Sequence, residues 1–533
     1  MCETPSMESH VAELLSRAAS LEPEKTALSE ASSGRTISWG VLDELVDRVV
    51  KGLSDAGMVA GYRVMLVTTN RIEFVAAYLG ALRAGMVVVP VNPRSATGEL
   101  IRTLADSGTR MVIADATTVA TVRAAVAGLT DALEVAGAAP AARPRIVTIG
   151  TTLEPRERGW DQLVASYSGQ PLPARLDPES LAVLLYTSGT SGRPRAAMLS
   201  HRALLANIEQ VAAVDPPMIT GQDVVLGVLP LFHVYGLNAV LGQVIRQCAR
   251  LVLVDGFEAE SSLDLIEDEA VSVVPVAPPV FAYWMQLTGL EDRLGPVRLM
   301  LSGSAPLAPE LTEQFTTRTG VQIHQGYGLT EASPVVTSTL CSKQAHPHSV
   351  GAALPGIEVR LVDESGRPPV DQDIGEIYLR GDNLFSGYWP DGAGAPGADG
   401  WWATGDVGYL DPTGDLYLVD RIKELVIVSG FNVYPSEVEE VIAELPEVAE
   451  AAVIGVDDEE TGEAVVAYVR PTTAGASEGL VDVVRRHCEE RLAGFKQPRV
   501  IHVVDELPYT ITGKVQKGRL RATERRRTRG LLE

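Results

Sequence analysis

The 533-residue sequence holds only four cysteines, Cys2, Cys248, Cys341 and Cys488, and no two of them form a C-x-x-C pair. That scatter excludes a disulfide framework and a cysteine-built zinc site, and it fits reduced thiols in a cytosolic protein. Positive charge is also scarce: 45 Lys and Arg stand against 69 Asp and Glu, for a net charge of -24. A nucleic-acid binder needs a cationic face to displace counterions, so that class is excluded. The one basic concentration is the tail from Arg519 to Arg529, which reads as a solvated, frayed helix end. No apolar run reads as a membrane span. The longest, FVAAYLGALRAGMVVVPV from Phe74, contains Arg83 and two glycines and splits into a buried helix and a core strand. The first residues, MCETPSMESH, are polar and acidic, unlike a secretory signal.

What is present is the composition of a globular enzyme, 46% hydrophobic and 21% charged, in a chain long enough for about two to four folding units. Short β-branched runs recur at helix-length intervals: RVMLVTT, GMVVVPV, TRMVIAD, ARLVLVD and AVSVVPV. Such alternation predicts an α/β fold with largely parallel sheets covered on both faces. From about Val350 the texture changes to strict strand alternation with Asp-Gly turns, which predicts a small antiparallel β region. Beyond LVDRIKELVIVSG the order becomes helix, strand, strand, helix, strand, a compact α+β unit. Its first helix, PSEVEEVIAEL, offers Ser436 as an N-cap. A boundary near Asp420 to Lys423 divides the chain into residues 1–420 and 421–533.

Two loops carry misleading motifs. GAGAPG, Gly392 to Gly397, matches the dinucleotide fingerprint, yet no strand leads into it and Pro396 stands where a helix should begin. GASEG, Gly475 to Gly479, matches a nucleophile elbow, but the preceding strand ends too far back, at Arg470-Pro471. Both read as loops.

The informative stretch is YTSGTSGRPRAAMLSH, Tyr186 to His201, between a buried-strand pattern and a helix capped by Ser200. Its glycines let backbone N–H groups converge on an anion, and its hydroxyls add donors to phosphate oxygens. It lacks the lysine of a P-loop; the only Gly-Lys pair is Gly513-Lys514, far downstream. Four further segments follow in order: SGSAPL from Ser302, GYGLTEASP from Gly326, WWATGDVGYLD from Trp401, and DRIKELVIVSGFNVYPSEVE from Asp420. PYTITGKVQK from Pro508 closes the series. In this order and spacing they resemble the adenylate-forming superfamily over essentially the whole chain, and most of all its acyl-CoA synthetases of fatty or aromatic acids.

The resemblance implies a large N-terminal domain, a small mobile C-terminal domain and a site between them. It implies two half-reactions: a carboxylate and MgATP give acyl-adenylate and pyrophosphate, then CoA displaces AMP. Thr187, Ser188, Gly189, Thr190, Ser191, Gly192 and Arg195 would hold the β- and γ-phosphates. Thr330 and Glu331 match the family's threonine and magnesium-binding glutamate, and Tyr327, within Gly326 to Gly328, would stack on adenine. Gly303, Ser304 and Ala305 would close the other side of the base, Asp406 would accept from the ribose hydroxyls, and Arg421 would assist. Lys514 would bridge the reacting carboxylate and the α-phosphate, then swing away as the small domain turns about Lys423. Gly430 would approach the CoA channel, and His233 would lie near the acyl carboxylate.

Two departures stand out. The family's loop usually ends Pro-Lys-Gly, here Pro194-Arg195-Ala196, and the usual arginine after the catalytic lysine is Lys517. The acyl pocket is expected from Val234-Tyr235, from Val276 to Trp284, with Phe281, Tyr283 and Trp284 as large surfaces, and from Gly326 to Val336. No arginine lies there to hold a second carboxylate, which favours medium- or long-chain fatty acids, with aromatic or alicyclic acids as the alternative. A carrier protein in place of CoA, a non-catalytic adenylate sensor and a luciferase-like oxidase are the competing readings; the trio Glu331, Asp406 and Lys514 argues against a sensor. The implied protein is cytoplasmic, monomeric or homodimeric, without a transmembrane segment, free or peripherally membrane-associated.

Overall fold

The computed structural model describes residues 9–135, 143–165, 177–187, 195–305, 307–344, 346, 348–363, 365–369, 374–421, 424–428, 431–458, 461–473, 479–510 and 513–528. Its framework is a pair of seven-stranded sheets. In one, the parallel strands Ile323–Gln325, Leu299–Ser302, Val273–Val276, Val224–Gly227, Arg250–Leu253 and Thr26–Glu30 lie side by side, and Thr36–Ser38 adds an antiparallel edge. In the other, Arg158–Gly159, Arg145–Ile149, Met111–Asp115, Arg63–Val67, Val87–Pro90 and Leu181–Thr187 run parallel, and the antiparallel Arg195–Ser200 closes the edge. Each β-branched run noted in the sequence becomes one of these strands. Strands buried on both faces have no polar side to alternate, which is why their sequences read as continuous Val, Ile and Leu.

The largest core cluster draws side chains from both sheets and from the helices Trp39–Asp55, Ile72–Arg83 and His201–Ala212. Ile72–Arg83 is buried along its whole length, as its all-round apolarity requires. Two further clusters cover the outer faces. Helices Thr97–Ser107 and Val119–Val135 pack on one sheet; Ala259–Asp268, Pro279–Trp284 and Pro309–Thr319 pack on the other. Both sheets are therefore doubly covered, as expected. A four-stranded antiparallel sheet follows, Glu358–Val362, Gly375–Arg380, Trp402–Leu410 and Leu416–Arg421. From Val426 onward the chain builds its own sheet around the long hairpin Val448–Asp458 and Gly462–Pro471, with separate cores.

Two local expectations fail. Ser436 is not an N-cap: the helix Pro435–Ala443 starts from Tyr434, and the Ser436 hydroxyl donates instead to Val419 O at 2.7 Å. Pro435 at the first helical position needs no capped N–H of its own, which frees the serine for the neighbouring strand. The basic tail is not frayed up to Thr528. Helix Lys517–Thr528 docks through buried Leu520 and Glu524, and Arg527 donates to Glu524 at 2.7 Å. Among the described residues no helix is long and apolar enough to cross a membrane.

Helix His201–Ala212 carries the edge hairpin into the core. Ser200 accepts from Ala203 N at 3.2 Å as its N-cap. The His201 ring is buried, its Nδ1 accepts from Val11 N at 3.3 Å, and it meets the ring of His10 at 5.8 Å. Burial, reinforced by His10, pushes the His201 pKa down to about 3. A histidine whose folded pKa lies below its unfolded value binds fewer protons when folded. Its stability contribution is thus complete above the unfolded pKa and is lost as pH falls. Between about pH 7 and about pH 5, His201 alone should cost about 2 kcal/mol of stability. Urea midpoints at the two pH values check this, and His201→Gln should narrow the difference.

Candidate active site

A cavity of about 670 Å³ opens at the carboxyl ends of the first sheet's strands. Its walls come from the edge hairpin of the second sheet, the glycine-rich turn after Gln325, the start of strand Trp402–Leu410, and Thr510 and Lys514 of the C-terminal unit.

The turn Gly326–Pro334 folds back closely on itself. A Cβ on Gly326 would sit 2.5 Å from Thr337 O, and one on Gly328 would sit 2.5 Å from Pro334 O. Only glycine permits that approach. Tyr327 between them is buried, and its carbonyl accepts from Val336 N and Thr337 N at 2.9 and 3.1 Å. Its Oη donates to Asp406 Oδ2 at 2.5 Å. Asp406 follows Gly405, which takes φ +76, and pairs across the sheet with Arg421. The two residues proposed for the nucleoside thus meet from positions 79 apart in sequence.

Glu331 lies on the short 3-10 turn Thr330–Ala332 and is 9% exposed. Its Oε1 accepts from Tyr388 Oη at 2.6 Å. The Arg195 guanidinium stacks on the same tyrosine, its Cζ 3.8 Å from the ring centroid. Thr187 lies opposite Arg195 in the hairpin, and its hydroxyl donates to Arg195 O at 3.3 Å. Tyr388 is the residue that sequence reasoning missed. It sits in SGYWPDG, among turn-forming residues, and its only sequence signal is a large aromatic where polar loop residues are the norm.

His233 borders the cavity, and its Nδ1 accepts from Tyr235 N at 3.4 Å, which puts the proton of the neutral ring on Nε2. Burial and the charge of Lys514 push its pKa down to about 4, so it is neutral at physiological pH. Lys514 is exposed at the same cavity, at the end of a turn closed by Thr510 N donating to Lys514 O at 2.7 Å and Lys514 N donating to Thr510 Oγ1 at 3.0 Å. Gly513 takes φ +80, and a Cβ there would lie 2.6 Å from Pro279 Cγ. The C-terminal turn is seated directly on the large unit.

The apolar wall differs from expectation. None of the segment Val276 to Trp284 lines the cavity; only Pro275, just ahead of it, does. Helix Pro279–Trp284 turns Phe281 and Trp284 into the core behind the sheet, with Trp284 Nε1 donating to Ser262 at 2.9 Å, while Tyr283 points outward at 55% exposure. The wall is instead built by Val211, Met218, Ile219, Phe232, Val240 and Leu301, with Val234-Tyr235 and Val335 as expected. Gly303, Ser304, Gly326, Gly328 and Thr330 border the cavity and Ala305 does not. Ser188, Gly189, Thr190, Ser191, Gly192, Lys423 and Gly430 lie outside the described residues, as does the Arg421 side chain. Among the described residues no group of three His, Cys, Asp or Glu could hold a metal by itself.

The family profile described as "AMP-binding enzyme" matches residues 15–389, and "AMP-binding enzyme C-terminal domain" matches residues 437–514. The chain is 33% identical over 520 residues to 4-coumarate–CoA ligase-like 9 of Oryza sativa subsp. japonica, covering 93% of this chain and 90% of that protein. It is 32% identical over 526 residues to a long-chain-fatty-acid–CoA ligase of Bacillus subtilis (strain 168), covering 95% and 93%. Its fold matches the crystal structure of ATP-bound MatB from Rhodopseudomonas palustris with a TM-score of 0.83 at 32% identity, over 96% of this chain and 98% of that one.

Gly303 sets the cavity's shape, because a Cβ there would meet Tyr235 Cε1 at 2.8 Å. Gly303→Ala should displace Tyr235 and destabilise the large unit by about 1–3 kcal/mol, read as a lowered urea midpoint.

Proposed function

The chain belongs to the AMP-binding enzymes, and from that premise we propose that it is an ATP-dependent acid–CoA ligase working through an acyl-adenylate. The observation that carries the reading is Lys514: the lysine of the C-terminal unit lines the same cavity as Glu331, His233 and the Tyr327–Asp406 pair.

A carboxylate is a poor electrophile, and bringing it to a triphosphate sets anion against anion, so catalysis is mostly positioning and charge neutralisation. Among the described lining residues the cations are Arg195 and Lys514. Arg195 and Thr187, with Ser188 to Gly192, hold the β- and γ-phosphates; Lys514 holds the acid's carboxylate against the α-phosphate. The neutral His233, with its proton on Nε2, can donate to that carboxylate without quenching it. Tyr327 covers the adenine, Gly303 and Ser304 border its other side, and Asp406 accepts from the ribose while fixed by the Tyr327 hydroxyl. The acid's oxygen displaces pyrophosphate at phosphorus, and in the second half-reaction the CoA thiol displaces AMP from the acyl carbon.

Magnesium suits Glu331: one carboxylate oxygen is occupied by Tyr388 Oη, and the other, with phosphate oxygens and water, makes the usual sparse oxygen set. Bound there, the ion would neutralise phosphate charge. We place the domain boundary at 420/421, with residues 421–533 turning about Lys423 between half-reactions and bringing Gly430 to the CoA channel.

The apolar wall supports an acid with an apolar body, and we propose a medium- or long-chain fatty acid, in keeping with the Bacillus relative. An aryl acid is the second reading, favoured by the coumarate relative at 33% identity. Incubating a panel of acids with MgATP, with and without CoA, and detecting products by mass spectrometry decides among them; adenylate that never becomes thioester would point to a carrier protein. Lys514→Ala should lower acid-dependent ATP–pyrophosphate exchange by at least about a hundredfold and leave thioester formation from supplied acyl-adenylate largely intact. Exchange at the wild-type rate would remove Lys514 from the mechanism.

A further inference from the structure

The loop Gly392–Gly397, whose sequence reads as a loop and not as a dinucleotide fingerprint, folds around Tyr388. Gly392 N donates to Tyr388 O at 2.8 Å, and Tyr388 N donates to Ala393 O at 2.9 Å. Gly394, at φ +73, lies flat against the ring; a Cβ there would meet Tyr388 Cδ2 at 3.3 Å. Phe385 packs edge-on, with centroids 5.0 Å apart. The backbone around Tyr388 is also stitched to the strand that begins at Arg195: Trp389 N donates to Ala196 O at 2.9 Å, and Met198 N donates to Gly387 O at 3.0 Å. The phenol is thus fixed by its own loop and by the phosphate hairpin together.

What the fixed ring does is separate two opposite charges. Arg195 lies on its face and Glu331 accepts from its hydroxyl. Among the described residues no ion pair joins the two. A flexible arginine beside a buried carboxylate would otherwise collapse onto it, because a bidentate guanidinium–carboxylate pair is the strongest contact open to either group. Collapsed, Arg195 would lose its hold on phosphate and Glu331 its hold on a metal. The ring offers the guanidinium a planar surface, which suits arginine better than lysine.

We propose that Tyr388 is a positioning residue, a spacer that keeps Arg195 and Glu331 adjacent but unpaired, so that each stays available to the triphosphate and its cation. This rests on the ligase reading above. It also accounts for Arg195 at the position where the family uses lysine: the spacer and the planar cation form a matched pair.

The test is isothermal titration of ATP with magnesium, and of ATP with chelator, into the full-length protein and its variants. Tyr388→Phe keeps the ring but removes the donor. It should weaken MgATP binding about tenfold, as loss of an orienting partner does, and leave metal-free ATP unchanged within about twofold. Tyr388→Leu removes both functions and should weaken both forms about tenfold or more. Arg195→Lys should cost metal-free ATP about fivefold in the wild-type background and under about twofold in the Tyr388→Leu background, since the stack is already gone. Wild-type MgATP affinity in Tyr388→Phe, or effects of Arg195→Lys and Tyr388→Leu that simply multiply, would overturn the spacer. If Tyr388→Leu does not fold, the Tyr388→Phe comparison decides alone. A wild-type protein that binds no ATP would sink the ligase reading itself, whereas wild-type binding with indifferent variants would sink only the role of Tyr388.

Discussion

Like charge is the constraint around which this protein is arranged. A triphosphate and a carboxylate must meet inside a chain of net charge -24, and the low dielectric of a cavity magnifies every unpaired charge. The response is economy. Two cations reach the described walls of the cavity, one from each structural unit, and the remaining anions nearby are given hydroxyl partners. Asp406 takes the Tyr327 phenol and Glu331 the Tyr388 phenol, at 2.5 and 2.6 Å. A phenol occupies one lone pair of a carboxylate and leaves the others open, so both carboxylates keep acceptor capacity while losing freedom to swing.

Much of this was written locally in the chain. Buried parallel strands announce themselves as β-branched runs because neither face needs a polar residue, and the Ser200 cap is legible because its partner, Ala203 N, is three residues away. The ordered motifs marked the cavity for the same reason: glycines 326 and 328 are demanded by backbone crossings inside one short turn. What escaped depends on distance or direction. The segment Val276 to Trp284 was apolar enough for an acyl wall, but apolarity does not say which way a helix faces, and this one faces the core. Tyr388 was invisible because its partners, Glu331 and Arg195, lie 57 and 193 residues away in sequence. Ser436 misled because its hydroxyl serves a strand rather than its own helix.

The two departures from the family's pattern find ordinary physical places. Ala196 is buried in a regular strand pair, opposite Tyr186, where extended backbone asks for no glycine. Lys517 faces Glu424 and Glu439 at 3.2 and 3.0 Å, inside the C-terminal unit. It ties Glu424 to the helix Pro435–Ala443, which carries Glu439, and so helps hold the unit together.

The Gly513–Pro279 contact has a wider consequence. It is a seat defined by a missing methyl group, with hydrocarbon on one side and bare backbone on the other. Such a fit confers register by shape: the turn that carries Lys514 is indexed to the large unit as a key is to a wards-and-tumbler lock. Accuracy of placement is achieved there by leaving an atom out.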